Sequence, residues 1–127
     1  MRFTFEREER LKSKKIIGRL FNKEGKSFAI HPIRIIWMET PLETSYPIQI
    51  GVVVPKRHFK KAVQRNKIKR RILESYRLNK HSMHELLQTK EKQCAMMMVY
   101  TGREEMPYEE LNHQMQILIR KFNKKVR

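Results

Sequence analysis

The chain has 127 residues, 29 of them Lys or Arg against 13 Asp or Glu, which gives a formal charge of +16 and a pI near 10.3. That length suits one domain with one modest core, and so much like charge on a small body asks for a polyanionic partner, nucleic acid first. Composition argues against a membrane span, which needs about 18 consecutive apolar residues, and against a disulfide framework, because Cys94 is the sole cysteine.

Met1-Arg2-Phe3-Thr4-Phe5-Glu6 lacks the apolar stretch of a signal peptide. With the lone cysteine, this makes the cytoplasm the expected compartment. A single domain is expected over 1–127, with 1–10 and 123–127 flexible. Ser13 has the chemistry of a helix N-cap, Ile16, Ile17, Leu20 and Phe21 fall on one helical face, and Gly25 suits the stop. Phe28 to Ile30 and Ile33 to Met38 read as strands broken at Pro32. Ile48 to Val54 reads as a third strand, and its near-continuous apolar run predicts burial on both faces. Lys60 to about Asn79 is a helix. Ser82 and Glu85 have the spacing of a capping box that opens a short helix to about Lys90. Cys94 to Tyr100 is a fourth strand, with Met96-Met97-Met98 buried. Pro107 precedes a last helix with the stripe Tyr108, Leu111, Met115, Leu118, Ile119, Phe122 and Val126. The sum is one α+β domain with a four-stranded sheet, in the order α-β-β-β-α-(α)-β-α.

The chemistry concentrates between Lys56 and Arg71, where nine of sixteen residues are Lys or Arg and none is acidic. Solvated helix faces usually alternate sign. Here like-charge pairs such as Lys67–Arg71 and Arg65–Lys69 stand at i,i+4, a penalty that phosphate would remove. At 100° per residue, Ile68, Ile72, Tyr76, Ala62 and Leu73 share an arc of about 140°, yet Arg65 and Lys69 point into the same sector. Burying either charge unpaired would cost several kcal/mol, so this half of the helix is expected to overhang the sheet or line a wet groove. Cations on several sides suit a folded RNA better than one DNA groove.

The segment Ala62-Val63-Gln64-Arg65-Asn66-Lys67-Ile68-Lys69-Arg70, after Gly51-Val52-Val53-Val54-Pro55-Lys56-Arg57, resembles the Arg-Asn-Arg helix of the bacterial ribonuclease P protein family. Leu11-Lys12 with Phe21, Met96 to Tyr100, and Tyr108-Glu109-Glu110 extend the resemblance over most of the chain. Lys67 stands where the family has a second Arg and lacks its bidentate fork. Leu73 stands where many members carry Arg, Ile17 where an aromatic is common, and the loop before the helix is one residue longer.

The resemblance implies a non-catalytic subunit that works in 1:1 complex with an RNA, as a monomer, in an α/β sandwich with a left-handed crossover. It implies that Lys56, Arg57, Lys61, Arg65, Asn66, Lys67, Lys69, Arg70 and Arg71 bind the catalytic RNA. A cleft with Ile17, Phe21 and Trp37 would hold the 5′ leader of precursor tRNA, and the RNA and substrate would hold the Mg2+ that hydrolysis uses. Phe28 is a further stacking candidate, each stacked base being worth about 1–3 kcal/mol. His81 and His84 share a helix face without a third ligand, so no zinc site is expected. Glu74 is read as neutralising a cation one turn away, and no other carboxylate is expected near the basic helix. The rival functions are a structural ribosomal or ribosome-associated protein and a self-sufficient nuclease, the latter opposed by the lack of converging carboxylates.

Overall fold

The structure, a computed structural model, describes residues 5–127. Lys26–Ile30 (β1), Ile33–Glu39 (β2), Ile48–Val53 (β3) and Cys94–Tyr100 (β4) form one mixed sheet in the order β1-β2-β4-β3. β2 is antiparallel to β1 and β4, whereas β3 runs parallel to β4. A parallel pair cannot be joined by a hairpin and needs a crossover. Here it is Ala62–Asn79 (α2) followed by His81–Thr89 (α3). Lys14–Arg19 (α1), prolonged by a π-helical turn over Leu20–Glu24, precedes the sheet, and Tyr108–Val126 (α4) follows it. This is the α+β order expected from the pattern.

Successive strand side chains point to opposite faces, and that sorts the core. Ile33, Ile35, Trp37, Ile48, Ile50, Cys94, Met96, Met98 and Tyr100 share one face. They pack on Ile68, Ile72 and Tyr76 of α2, Met83 and Leu87 of α3, and the α4 stripe from Leu111 to Val126. Each such side chain contributes about 1.5–3 kcal/mol on burial, before the cost of ordering it. The second face carries Ile36, Met38, Ala95, Met97 and Val53, against which Leu11, Ile16, Ile17 and Leu20 pack from the short α1 side. Val52 joins the first core and Val53 the second, so both faces of β3 are used.

Ser13 caps α1, its Oγ accepting from the Ile16 amide at 3.2 Å. Gly25 is required by close approach, because a Cβ there would lie 2.6 Å from Ile36 Cγ2 and 3.0 Å from the Leu20 carbonyl oxygen. The capping box at Ser82 does not form. α3 starts at His81, behind a Lys80 that is itself helical, so the turn that would need Ser82 as a cap is already inside the helix. The Ser82 hydroxyl instead accepts from Asn123 Nδ2 at 3.2 Å.

The ends are also better anchored than expected. Residues 1–4 lie outside the described residues, but Arg7–Glu9 forms a 3-10 turn and Arg10 bridges to Ile50. Glu9 is fully buried, and Lys80 Nζ donates to its Oε1 at 2.6 Å. Beside them the Tyr76 hydroxyl and His84 Nε2 are hydrogen-bonded at 2.9 Å. At the other end α4 continues to Val126, with Asn123 and Val126 buried. A buried ion pair holds Glu9 to Lys80, and the apolar stripe of α4 reaches its last turn at Val126.

Candidate nucleic-acid interface

After β3, Val54-Pro55 hands the chain to an exposed basic pair, Lys56 and Arg57. Phe59 then folds back into the core, 4% exposed, its ring 5.8 Å from that of Tyr100. This anchor presents Lys60 and Lys61 outward at the start of α2. No side chain caps that helix start, so its first amides and the positive end of its dipole are left to solvent or an anion.

The basic residues of α2 divide into two groups. Arg65 is half-buried, and its Nη1 donates to the carbonyls of Phe59 at 2.7 Å and Lys60 at 2.9 Å. This solves the wheel conflict, because the charge lies near the core sector with two backbone acceptors and is not left bare. Arg71 donates from Nη1 to the Met106 carbonyl at 3.0 Å and lies 3.6 Å from the Glu105 carboxylate, which also pairs with Lys67 at 3.3 Å. The expectation that no carboxylate but Glu74 stands near this helix is therefore corrected: Glu105 comes from the loop before α4. Glu74 pairs with Arg77, whose hydrogen bond holds the Glu74 carboxyl below its ordinary range.

Asn66 and Arg70 are exposed, and Lys56, Arg57 and Lys61 stand out from the loop beside them. Lys69 lines a groove of about 260 Å³ with Arg10, Lys12, Gly51 and Val52, between α2, the N-terminal segment and the β3 edge. Its lining sets these three cations, Arg10, Lys12 and Lys69, beside apolar Phe5, Leu11, Ile50 and Leu73.

The second sheet face is the other part of the site. Ile17 is half-buried against it and Phe21 is 49% exposed. Trp37 is not in this cleft. It lies on the opposite face, 4% exposed, edge-on to Phe28 at 5.6 Å and to Phe122 at 5.4 Å. A one-residue difference in strand phase moves a side chain to the other face, and it is Ile36 that faces α1. Phe28 packs with Trp37 and leaves the cleft too.

In their place the cleft has Arg34, which the sequence reading missed. It stands in one row with Ala29, Val99 and Val53, is exposed, and donates from Nη2 to Ser27 Oγ at 3.0 Å. Its signal was a lone cation between Ile33 and Ile35, which can only point away from the core. Glu105 had no such signal, since it meets α2 only through the fold.

Comparison with known proteins agrees with this geometry. The family model described as Ribonuclease P matches residues 5–123. The ribonuclease P protein component of Porphyromonas gingivalis is 35% identical over 89 residues, 70% of this chain and 64% of that protein. That of Pseudoalteromonas translucida is 35% identical over 123 residues, 97% of this chain and 80% of that protein. The match thus spans under two thirds of the Porphyromonas relative. Two solved structures share the fold. The RNase P protein of Staphylococcus aureus has a TM-score of 0.68 at 19% identity, over 88% of this chain and 93% of that one. That of Thermotoga maritima has a TM-score of 0.65 at 21% identity, over 89% and 96%. With the family model matching residues 5–123, a relative 35% identical over nearly the whole chain, and the mixed-sheet fold shared, the chain belongs to the bacterial ribonuclease P protein family.

Proposed function

We propose that the chain is the protein subunit of ribonuclease P and assists an RNA enzyme in removing the 5′ leader of precursor tRNA. α2 and the loop before it bind the catalytic RNA, with Lys56, Arg57, Lys61, Asn66, Lys69 and Arg70 facing phosphates. Arg65, Lys67 and Arg71 also hold the loops that shape this surface. The open sheet face, edged by Ile17, Phe21 and Arg34, takes the single-stranded leader, whose bases need a flat apolar partner and whose phosphates need a cation. One observation carries the reading: an exposed basic helix start stands beside an apolar sheet face that is only half covered.

Hydrolysis falls to the RNA. On this reading the Mg2+ that hydrolysis uses sits on RNA and substrate phosphates, the hard oxygen ligands such an ion takes. One protein binds one RNA, in the cytoplasm. The test is reconstitution. Protein alone, with magnesium and precursor tRNA, should cut nothing, and adding the catalytic RNA of the same source should give cleavage at the leader junction. Cleavage by protein freed of RNA would overturn the reading. Co-purification with ribosomal RNA alone would favour a ribosomal role.

A further inference from the structure

The C-terminal part of α4 carries a second basic surface that the proposed contacts leave unused. Arg120, Lys121, Lys124 and Lys125 are exposed, and no acidic residue occurs from Leu111 to Arg127. Among the described residues, none of these four cations has a carboxylate partner. Cations in the last turn of a helix complement its dipole, which accounts for Lys124 and Lys125. It does not account for Lys121, one turn earlier, nor for where the chains go. Lys121 Nζ lies 4.8 Å and Lys125 Nζ 5.6 Å from the centre of the Phe28 ring on β1. The ring attracts each ammonium, but two like charges at i,i+4 drawn to one ring repel each other. Lys26 stands two residues before Phe28 on the same face of β1 and is exposed. β1 is an edge strand, and the strand that leads into α2 is the opposite edge of the sheet.

We propose that Lys26, Lys121 and Lys125, gathered around Phe28 and extended by Lys124, bind the phosphate backbone of a second segment of the same structured RNA. The inference rests on the reading that the partner is an RNA. A folded RNA can reach two edges of a small protein, whereas a duplex groove meets one. Lysines suit this role as mobile point charges that follow a backbone without reading bases.

The experiment measures binding of the in vitro transcribed catalytic RNA over a range of salt. It compares the native chain, Lys121→Gln/Lys125→Gln, Lys121→Arg/Lys125→Arg, Lys26→Gln and, as control, Arg70→Ala. Each lost phosphate contact should lower the log K against log salt slope by about 0.7–0.9. The Gln pair should lose about twice that and Lys26→Gln about once, while the Arg pair keeps the native slope. Thermal midpoints should stay within about 2 °C of native. Hydroxyl-radical footprints should show the Gln pair and Arg70→Ala losing protection at different RNA segments.

A native slope for the Gln pair and for Lys26→Gln, with a reduced slope for Arg70→Ala, overturns this inference and leaves the function standing. A native slope for all variants overturns both. An equal loss on an unrelated structured RNA of the same length marks a general polyanion surface and overturns the assignment to a second segment. If the Gln pair melts early, Lys26→Gln, on another element, decides.

Discussion

Arg65 and Arg70 belong to the same motif, yet the structure gives them different work, and separate alanine variants should divide accordingly. Arg65 makes two charge-assisted hydrogen bonds to the carbonyls of Phe59 and Lys60, one of them partly buried. Hydrogen bonds to charged groups contribute about 1.5–3 kcal/mol each. One of this pair is exposed and exchanges with water, so about 2 kcal/mol is a fair total. For a domain of this size that lowers the thermal midpoint by about 7 °C, taking ~2.1 cal/mol/K of unfolding entropy per residue. Arg70→Ala removes an exposed side chain and should stay within about 0.5 kcal/mol of native. It should instead lose about one phosphate contact, seen as a shallower salt slope. Thermal denaturation by circular dichroism and binding titrations at several salt concentrations give the four values. If Arg65→Ala melts like the native protein and binds RNA as weakly as Arg70→Ala, Arg65 is a contact and not a clamp, and the division is wrong.

Further outcomes follow from the two cores and the buried pair. Trp37→Ala should cost about 3–5 kcal/mol in urea denaturation. Phe21→Ala should leave stability near native and weaken precursor over mature tRNA by about 5- to 150-fold in the assembled enzyme; equal loss for both substrates would remove Phe21 from the leader site. Lys80→Met strands the Glu9 carboxylate and should cost about 3–5 kcal/mol, with Glu9→Leu/Lys80→Met costing less than the single change; a single-variant loss below about 1 kcal/mol would show that water reaches Glu9. His84 is held neutral, its pKa lowered to about 4 by burial first and then by the nearby Lys80 and His81 charges. Glu9, 3.7 Å away, is already neutralised by Lys80. The unfolded chain takes up that proton near pH 6.5 and the folded chain near 4, so stability should fall as pH drops through this window, by about 3 kcal/mol in all. His84→Gln should lose that part of the pH dependence, and an unchanged profile would refute the assignment.

The element order was legible because the segments carried their own signals, as in the stripe of α4 and the near-continuous apolar run of β3. Strand phase was not, and it decided Trp37. Ile33-Arg34-Ile35-Ile36-Trp37 contains four bulky apolar residues that could fill either face. The single Arg34 was the one phase marker, and it placed Trp37 in the core with Ile33 and Ile35. The basic motif was legible as composition, but its division of labour depends on groups that only the folded loops supply. The Phe59 carbonyl, the Met106 carbonyl and Glu105 reach α2 through chain reversals that no local pattern encodes. Ser82 illustrates the opposite error, a good local capping signal overridden because α2 and α3 follow each other with a single residue between.

The sheet order β1-β2-β4-β3 also bears on how the protein comes into being. The ribosome delivers β4 last, yet its place is between β2 and β3. Until Cys94–Tyr100 emerges, β3 has no ladder neighbour in the sheet and β2 keeps one edge open. Open edges of this kind pair with other chains if synthesis stalls. The nascent chain therefore holds its apolar strands in waiting through the whole translation of α2 and α3, and one late insertion joins them into a continuous sheet. Truncation before Tyr100 should yield aggregate rather than a smaller working domain, and a transcript cut short at its 3′ end would give the cell no partial activity.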